Sequence, residues 1–151
     1  MVTLVGCAST GKGGGSAVEN EMELGEATPQ EARRLLADGY IYLDVRTPEE
    51  FQAGRPAGSV NIPVMLIDPA SGEKELNPRF LDAVTTAIPK EQRVILGCRT
   101  GQRSAFAQRM MYERGYRHTL NMIGGYAGIA DAGGRVVQEG WSTLNYPIEK
   151  D

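Results

Sequence analysis

Arg93-Val94-Ile95-Leu96-Gly97-Cys98-Arg99-Thr100-Gly101-Gln102-Arg103-Ser104 is the stretch on which the reading of this chain turns. Residues 93–97 are a short apolar run bounded by turn formers, which predicts a central buried strand. Cys98 to Arg103 reads as a loop. Ser104 to Arg114 reads as a helix with Phe106, Ala107, Met110 and Met111 at three- and four-residue spacings, ended by Gly115. A strand that passes through a tight loop into a helix lets backbone N–H groups converge on one point. The helix dipole reinforces such a nest for an anion. A sulfur at its centre is favoured as thiolate, the nucleophilic form. Gly101 supplies the positive φ that the curvature requires. From Gln92 to Tyr112 there is no acidic residue, whereas Arg93, Arg99, Arg103 and Arg109 supply four positives. That local field favours an anionic substrate.

Outward from this loop, helices and strands alternate. Thr28-Pro29-Gln30-Glu31 is a capping box with proline at the first helical position, opening a helix with Ala32, Leu35 and Leu36 on one face. Tyr40 to Leu43 predicts a buried strand ending at Asp44. Thr47-Pro48-Glu49-Glu50 repeats the capping grammar for a short helix closed by Gly54. Ser59 to Ile62 predicts a second short strand, Asp68 to Lys74 a surface loop, and Asn77-Pro78 a helix start with Phe80, Leu81 and Val84 as its stripe. Thr119 to Met122 predicts a last strand before Gly124-Gly125. Strands separated by helices imply an α/β fold, an open and mostly parallel central sheet flanked by helices on both faces. Ligands of such sheets sit at the carboxyl ends of strands, where Cys98 falls.

Composition removes several classes of function. The 151 residues carry 16 Lys+Arg against 19 Asp+Glu, a net charge of −3, which argues against nucleic acid as a partner. No apolar run approaches the roughly twenty residues of a transmembrane helix. Two cysteines and one histidine exclude a zinc site of the Cys/His type, so no metal and no cofactor is expected. Residues 1–23 are expected to be a disordered Gly/Ser-rich tail, with residues 24–151 as the folded domain. Within the tail, Leu4-Val5-Gly6-Cys7 is similar to a bacterial lipobox, although a signal peptide's basic and apolar regions are missing. The compartment stays open between cytoplasmic and, if Cys7 is a remnant lipobox, periplasmic and lipid-anchored.

Three segments taken together resemble the single-domain rhodaneses, thiosulfate-type sulfurtransferases, over about Glu26 to Tyr126. The first is Leu43-Asp44-Val45-Arg46-Thr47-Pro48-Glu49-Glu50-Phe51, continuing through Gly54 and Gly58 to Asn61-Ile62-Pro63; the second is Cys98–Ser104; the third is Gly124-Gly125-Tyr126. Where the family often has a tryptophan after the double glycine this chain has Ile129, and Trp141 follows later. The resemblance implies a ping-pong mechanism. Cys98 takes a sulfur from a small anionic donor such as thiosulfate, forms a persulfide held by the loop amides of Arg99, Thr100, Gly101, Gln102, Arg103 and Ser104, and yields it to cyanide, a thiol or a thiol-carrying protein. Asp44, Arg46 and Glu50 would support the loop. Arg99 and Arg103 are candidates for binding the donor; Arg103 has a second reading as a brace paired with a carboxylate such as Glu50 or Asp44.

Two alternatives stay open at this point. Cysteine-dependent phosphatases and arsenate reductase-like enzymes are similar, but the phosphatases place five residues between cysteine and arginine. Here only residues 99 to 102 stand between Cys98 and Arg103, a smaller ring that suits sulfur better than phosphate. A non-catalytic binding module is the other alternative, because a fold does not by itself prove turnover.

Overall fold

Two reciprocal caps start the first two helices among the described residues. The computed structural model describes residues 24–151; the expected tail and the Cys7 lipobox lie outside the described residues. Strand β1 (Gly25–Ala27) leads into α1 (Pro29–Ala37), where Thr28 Oγ1 accepts the Glu31 N–H at 3.2 Å and Glu31 Oε2 accepts the Thr28 N–H at 2.8 Å. Such a cap is worth on the order of 1 kcal/mol. Thr47 and Glu50 make the same exchange ahead of α2 (Pro48–Ala53), after β2 (Ile41–Asp44). Then follow β3 (Arg55–Pro56), β4 (Val60–Asn61), β5 (Met65–Ile67), β6 (Lys74–Leu76), α3 (Phe80–Ala87), β7 (Val94–Gly97), α4 (Gln102–Glu113) and β8 (Thr119–Met122). The C-terminal part holds β9 (Ile129–Ala130), β10 (Val136–Gln138), a 3₁₀ turn (Trp141–Leu144) and β11 (Ile148–Glu149).

The central sheet has five strands in the order β1-β8-β7-β2-β4, and every pairing in it is parallel. Across that order the chain leaves β1 for β2 in one direction, but leaves β4 for β7 and β7 for β8 in the other. Parallel crossovers are right-handed. Consequently α1 covers one face, and α3 and α4 cover the opposite one. The core divides accordingly. Leu43, Val94 and Leu96 pack with Phe80, Val84, Ala107 and Met111 on the α3/α4 side. Tyr42, Ile95 and Met122 pack with Ala32 and Trp141 on the α1 side. Alternation along β7 therefore aims Cys98, like Val94 and Leu96, at the α3/α4 layer.

The same order creates the crevice. Neighbouring strands β2 and β7 pair from Ile41 opposite Val94 to Asp44 opposite Gly97. Beyond them the chain departs toward β4 from one and toward β8 from the other. This is a topological switch point, where open α/β sheets bind ligands. Among the described residues no helix is long and apolar enough to cross a membrane.

Among the described residues, three antiparallel pairs lie outside this sheet: β5 with β6, β9 with β10, and β3 with β11. The first contains the surface loop expected at 68–74, which runs over 68–73 as the turn of a hairpin whose strands, residues 65–67 and 74–76, were not expected. A correction concerns α4. It begins at Gln102 rather than Ser104, and Phe106, expected on its buried face, is 45% exposed. Gln108 takes the buried place, donating from Nε2 to the Gly25 and Thr119 carbonyls at 2.9 and 3.1 Å. Those bonds pin α4 to β1 and β8.

Candidate active site

Cys98 follows β7 directly and is 1% exposed, packed within the Leu43 and Leu96 cluster. Its sulfur has two donors. The Gly101 N–H points at Sγ at 3.1 Å, and the Ser104 hydroxyl stands 3.3 Å away. Gly101 adopts φ +108°, at the N-terminus of α4, which turns its amide back toward the sulfur. Among the described residues, Gly101 is the one loop amide within hydrogen-bond reach of Sγ; the second donor is a side chain. The expectation from sequence was a ring of amides, and the hydroxyl of Ser104 was not foreseen as a direct donor.

A further residue was missed altogether. Asn121, in β8 and 4% exposed, accepts from Ser104 Oγ at 2.6 Å and donates from Nδ2 to the Gly101 carbonyl at 3.1 Å. A polar side chain at the carboxyl end of an otherwise buried strand was the available signal.

The loop is held from behind by the double-glycine segment. Tyr126 N–H donates to the Cys98 carbonyl at 2.8 Å, and Ala127 N–H to the Arg99 carbonyl at 2.9 Å. A Cβ on Gly125 would lie 2.5 Å from the Cys98 carbonyl oxygen, so the approach requires glycine.

The arginines have separate partners. Arg103 meets Glu50 through two parallel bonds of 2.7 Å, Nη1 to Oε2 and Nη2 to Oε1. Burial pushes the Glu50 carboxyl up, but the Arg103 guanidinium and the Thr47 N–H outweigh it and bring its pKa down to about 2. Because Glu50 also caps α2, the pair ties the first helix after β2 to the first turn of α4. Arg46 is buried on Asp44, with Nη2 2.6 Å from Oδ2 and 2.7 Å from the Gly54 carbonyl. Its guanidinium lies 4.4 Å from the centre of the Tyr126 ring. Burial works against its charge, and the Asp44 bonds more than offset that, holding Arg46 above its ordinary pKa.

Arg99 is exposed and helps line a cleft of about 230 Å³ together with Arg46, Glu50, Gly54 and Tyr126. Thr100, Gly101 and Gln102 face a second cleft of about 370 Å³, shared with Asn121, Ile123 and Gly124. The sequence-predicted residues thus fall into separate groups. Gly101 and Ser104 surround the sulfur; Glu50 and Arg103 form the brace, with Asp44 and Arg46 a separate buried pair; Arg99 on one side, with Thr100 and Gln102 on the other, flanks the loop.

A parallel α/β sheet with a cysteine in a donor-lined loop at its switch point defines a narrow class of domain. Residues 28–132 match the family described as Rhodanese-like domain. The chain is 39% identical over 102 residues to Thiosulfate sulfurtransferase 16, chloroplastic, of Arabidopsis thaliana, covering 68% of this chain and 83% of that protein. It is 39% identical over 98 residues to Rhodanese-like domain-containing protein 17 of the same plant, covering 64% of this chain and 62% of the relative. The crystal structure of Rv0390 from M. tuberculosis is similar at a TM-score of 0.70 and 28% identity, covering 84% of this chain and 98% of that one. This chain belongs to the rhodanese-like domain family.

Proposed function

We propose that this protein is a sulfurtransferase that moves a sulfane sulfur from thiosulfate, or a persulfide donor, to a thiophilic acceptor through Cys98. The thiolate attacks the outer sulfur of the donor. A new S–S bond forms on Cys98, the old one breaks, and sulfite leaves with the bonding pair. Cyanide, a small thiol or a thiol-carrying protein then attacks the terminal sulfur, and the Cys98 thiolate returns. The observation that carries this reading is the pair of donors, Gly101 N–H and Ser104 O–H, on a strand-end sulfur. Donors already in place for a negative charge need no rearrangement when it forms. The thiosulfate sulfurtransferase among the relatives supports the choice of donor.

Arg99 is the residue for the donor's sulfonate. Of the two arginines that line the 230 Å³ cleft, Arg46 is engaged by Asp44; Arg103, outside that lining, is engaged by Glu50. Arg103 therefore takes the bracing role. Purified protein should transfer sulfur from thiosulfate to cyanide, and Cys98→Ser should abolish the transfer. Hydrolysis of an aryl phosphate without sulfur transfer would reverse the ranking.

A further inference from the structure

Asn121 occupies the third position of β8 (Thr119–Met122), and alternation that sends Met122 to the α1 face sends Asn121 toward α4 and the cysteine loop. A buried amide must satisfy both of its ends. Here both ends are satisfied by the loop. The Gly101 carbonyl can only accept, so it must face Nδ2, which leaves Oδ1 toward Ser104.

The Ser104 hydroxyl has one proton and three acceptors around it. These are Asn121 Oδ1 at 2.6 Å, the Gly101 carbonyl at 3.2 Å and Cys98 Sγ at 3.3 Å. The Gly101 carbonyl has two lone pairs, and both have other donors: the Ala105 N–H at 3.2 Å and Asn121 Nδ2 at 3.1 Å. That acceptor is thereby withdrawn from the competition. Between the remaining two, the charge on the sulfur decides. Opposite a neutral thiol, the proton rests on Oδ1. Opposite an anionic sulfur it turns to Sγ, since a bond to an ionised acceptor is roughly twice as strong as one between neutral groups.

We propose that Asn121 is a positioning residue for the reacting sulfur. By filling the Gly101 carbonyl and offering Ser104 a neutral resting acceptor, it leaves that hydroxyl free to swing onto Cys98 whenever the sulfur carries negative charge. The role rests on Cys98 being the reacting sulfur, as thiolate before transfer and as persulfide after it. Without Asn121, the Ser104 side chain loses its 2.6 Å anchor and is free to rotate away from Sγ, and the sulfur loses a donor.

The test is the pH dependence of iodoacetamide alkylation, read by mass spectrometry on the Cys98 peptide so that Cys7 does not contribute. In Asn121→Leu the midpoint should move up by about one unit, and the rate on its acid side should fall about tenfold. Ser104→Ala should move it equally, and the double variant no further than Ser104→Ala alone. Thermal melting shows which variants are folded, and Asn121→Ala, with the same expected shift, replaces Asn121→Leu if the larger side chain prevents folding. An unmoved midpoint in a folded Asn121 variant, or shifts that add in the double variant, would overturn the role. Alkylation reads the thiolate whether or not sulfur moves. Absent thiosulfate labelling with these shifts intact would count against sulfur transfer and leave the Asn121 role standing.

Discussion

The pair Asp44–Arg46 joins residues two apart and is shut away from water, its side chains 1% and 5% exposed; Glu50–Arg103 joins residues 53 apart, with 25% and 14% exposed. The first closes a turn at the end of β2 and gathers the Gly54 carbonyl and the Tyr126 ring around one guanidinium. The second links two distant segments across the mouth of the crevice. Low dielectric makes the buried pair costly to break, because the survivor is left as an uncompensated charge. Partial exposure makes the outer pair less costly to break, and its two parallel bonds set where α4 begins relative to α2. Similar chemistry thus serves the fold at one place and the alignment of the loop at the other.

Breaking the inner pair should have the largest effect. Asp44→Ala is expected to lower the unfolding free energy by about 3–5 kcal/mol, measured by urea denaturation. A loss below about 1 kcal/mol would mean that Arg46 reaches water or another partner.

The next effect separates the paired arginines from Arg99. In Arg99→Ala the KM for thiosulfate should rise about tenfold with kcat nearly unchanged, the pattern of lost uniform binding. Equal losses in kcat and kcat/KM would place Arg99 in the transition state instead.

Glu50→Gln sharpens the contrast further, costing about 1–3 kcal/mol at neutral pH, less than Asp44→Ala. Glu50 has its pKa lowered from 4.5 to about 2 in the fold, chiefly by Arg103 and Thr47 working against burial. A depressed carboxyl stabilises the fold above its unfolded value and loses that contribution as pH falls toward the folded one. Acid titration of stability should therefore fall from about pH 4.5 to about 2, and Glu50→Gln should flatten that window.

The smallest effect concerns Tyr42, whose buried hydroxyl has no hydrogen-bond partner among the described residues. Tyr42→Phe removes an unsatisfied group and should raise stability by up to about 1 kcal/mol by thermal or urea melting. Destabilisation would reveal a partner for the hydroxyl.

Much of the architecture was legible because it is written in local grammar. Thr28 with Glu31 and Thr47 with Glu50 announce helix starts through side chains that bond only their own turn, and Val94–Gly97 is apolar on both faces because helices cover both. The hairpin β5–β6 escaped because its strands are mostly exposed, so no alternation marks them; Leu66, Ile67 and Leu76 are 38%, 40% and 50% exposed. The exchange of Phe106 for Gln108 on the inner face of α4 is a tertiary decision. Two backbone carbonyls at β1 and β8 needed a donor, and helical spacing alone cannot report that. At the site, Cys98 and Gly101 could be named from strand, glycine and helix. Ser104's direct bond to the sulfur and Asn121's hold on it depend on β8 lying beside β7, a neighbour relation that no local pattern encodes. The pairing of Arg103 with Glu50 rather than Asp44 likewise waited for the three-dimensional arrangement, since Asp44 is consumed by Arg46.

The most direct measurement is the mass of the Cys98 peptide after the intact protein has met thiosulfate. One added sulfur on that peptide, removed by dithiothreitol and absent from Cys98→Ser, is the result predicted here. An unmodified Cys98 peptide from folded protein in excess thiosulfate would contradict the account.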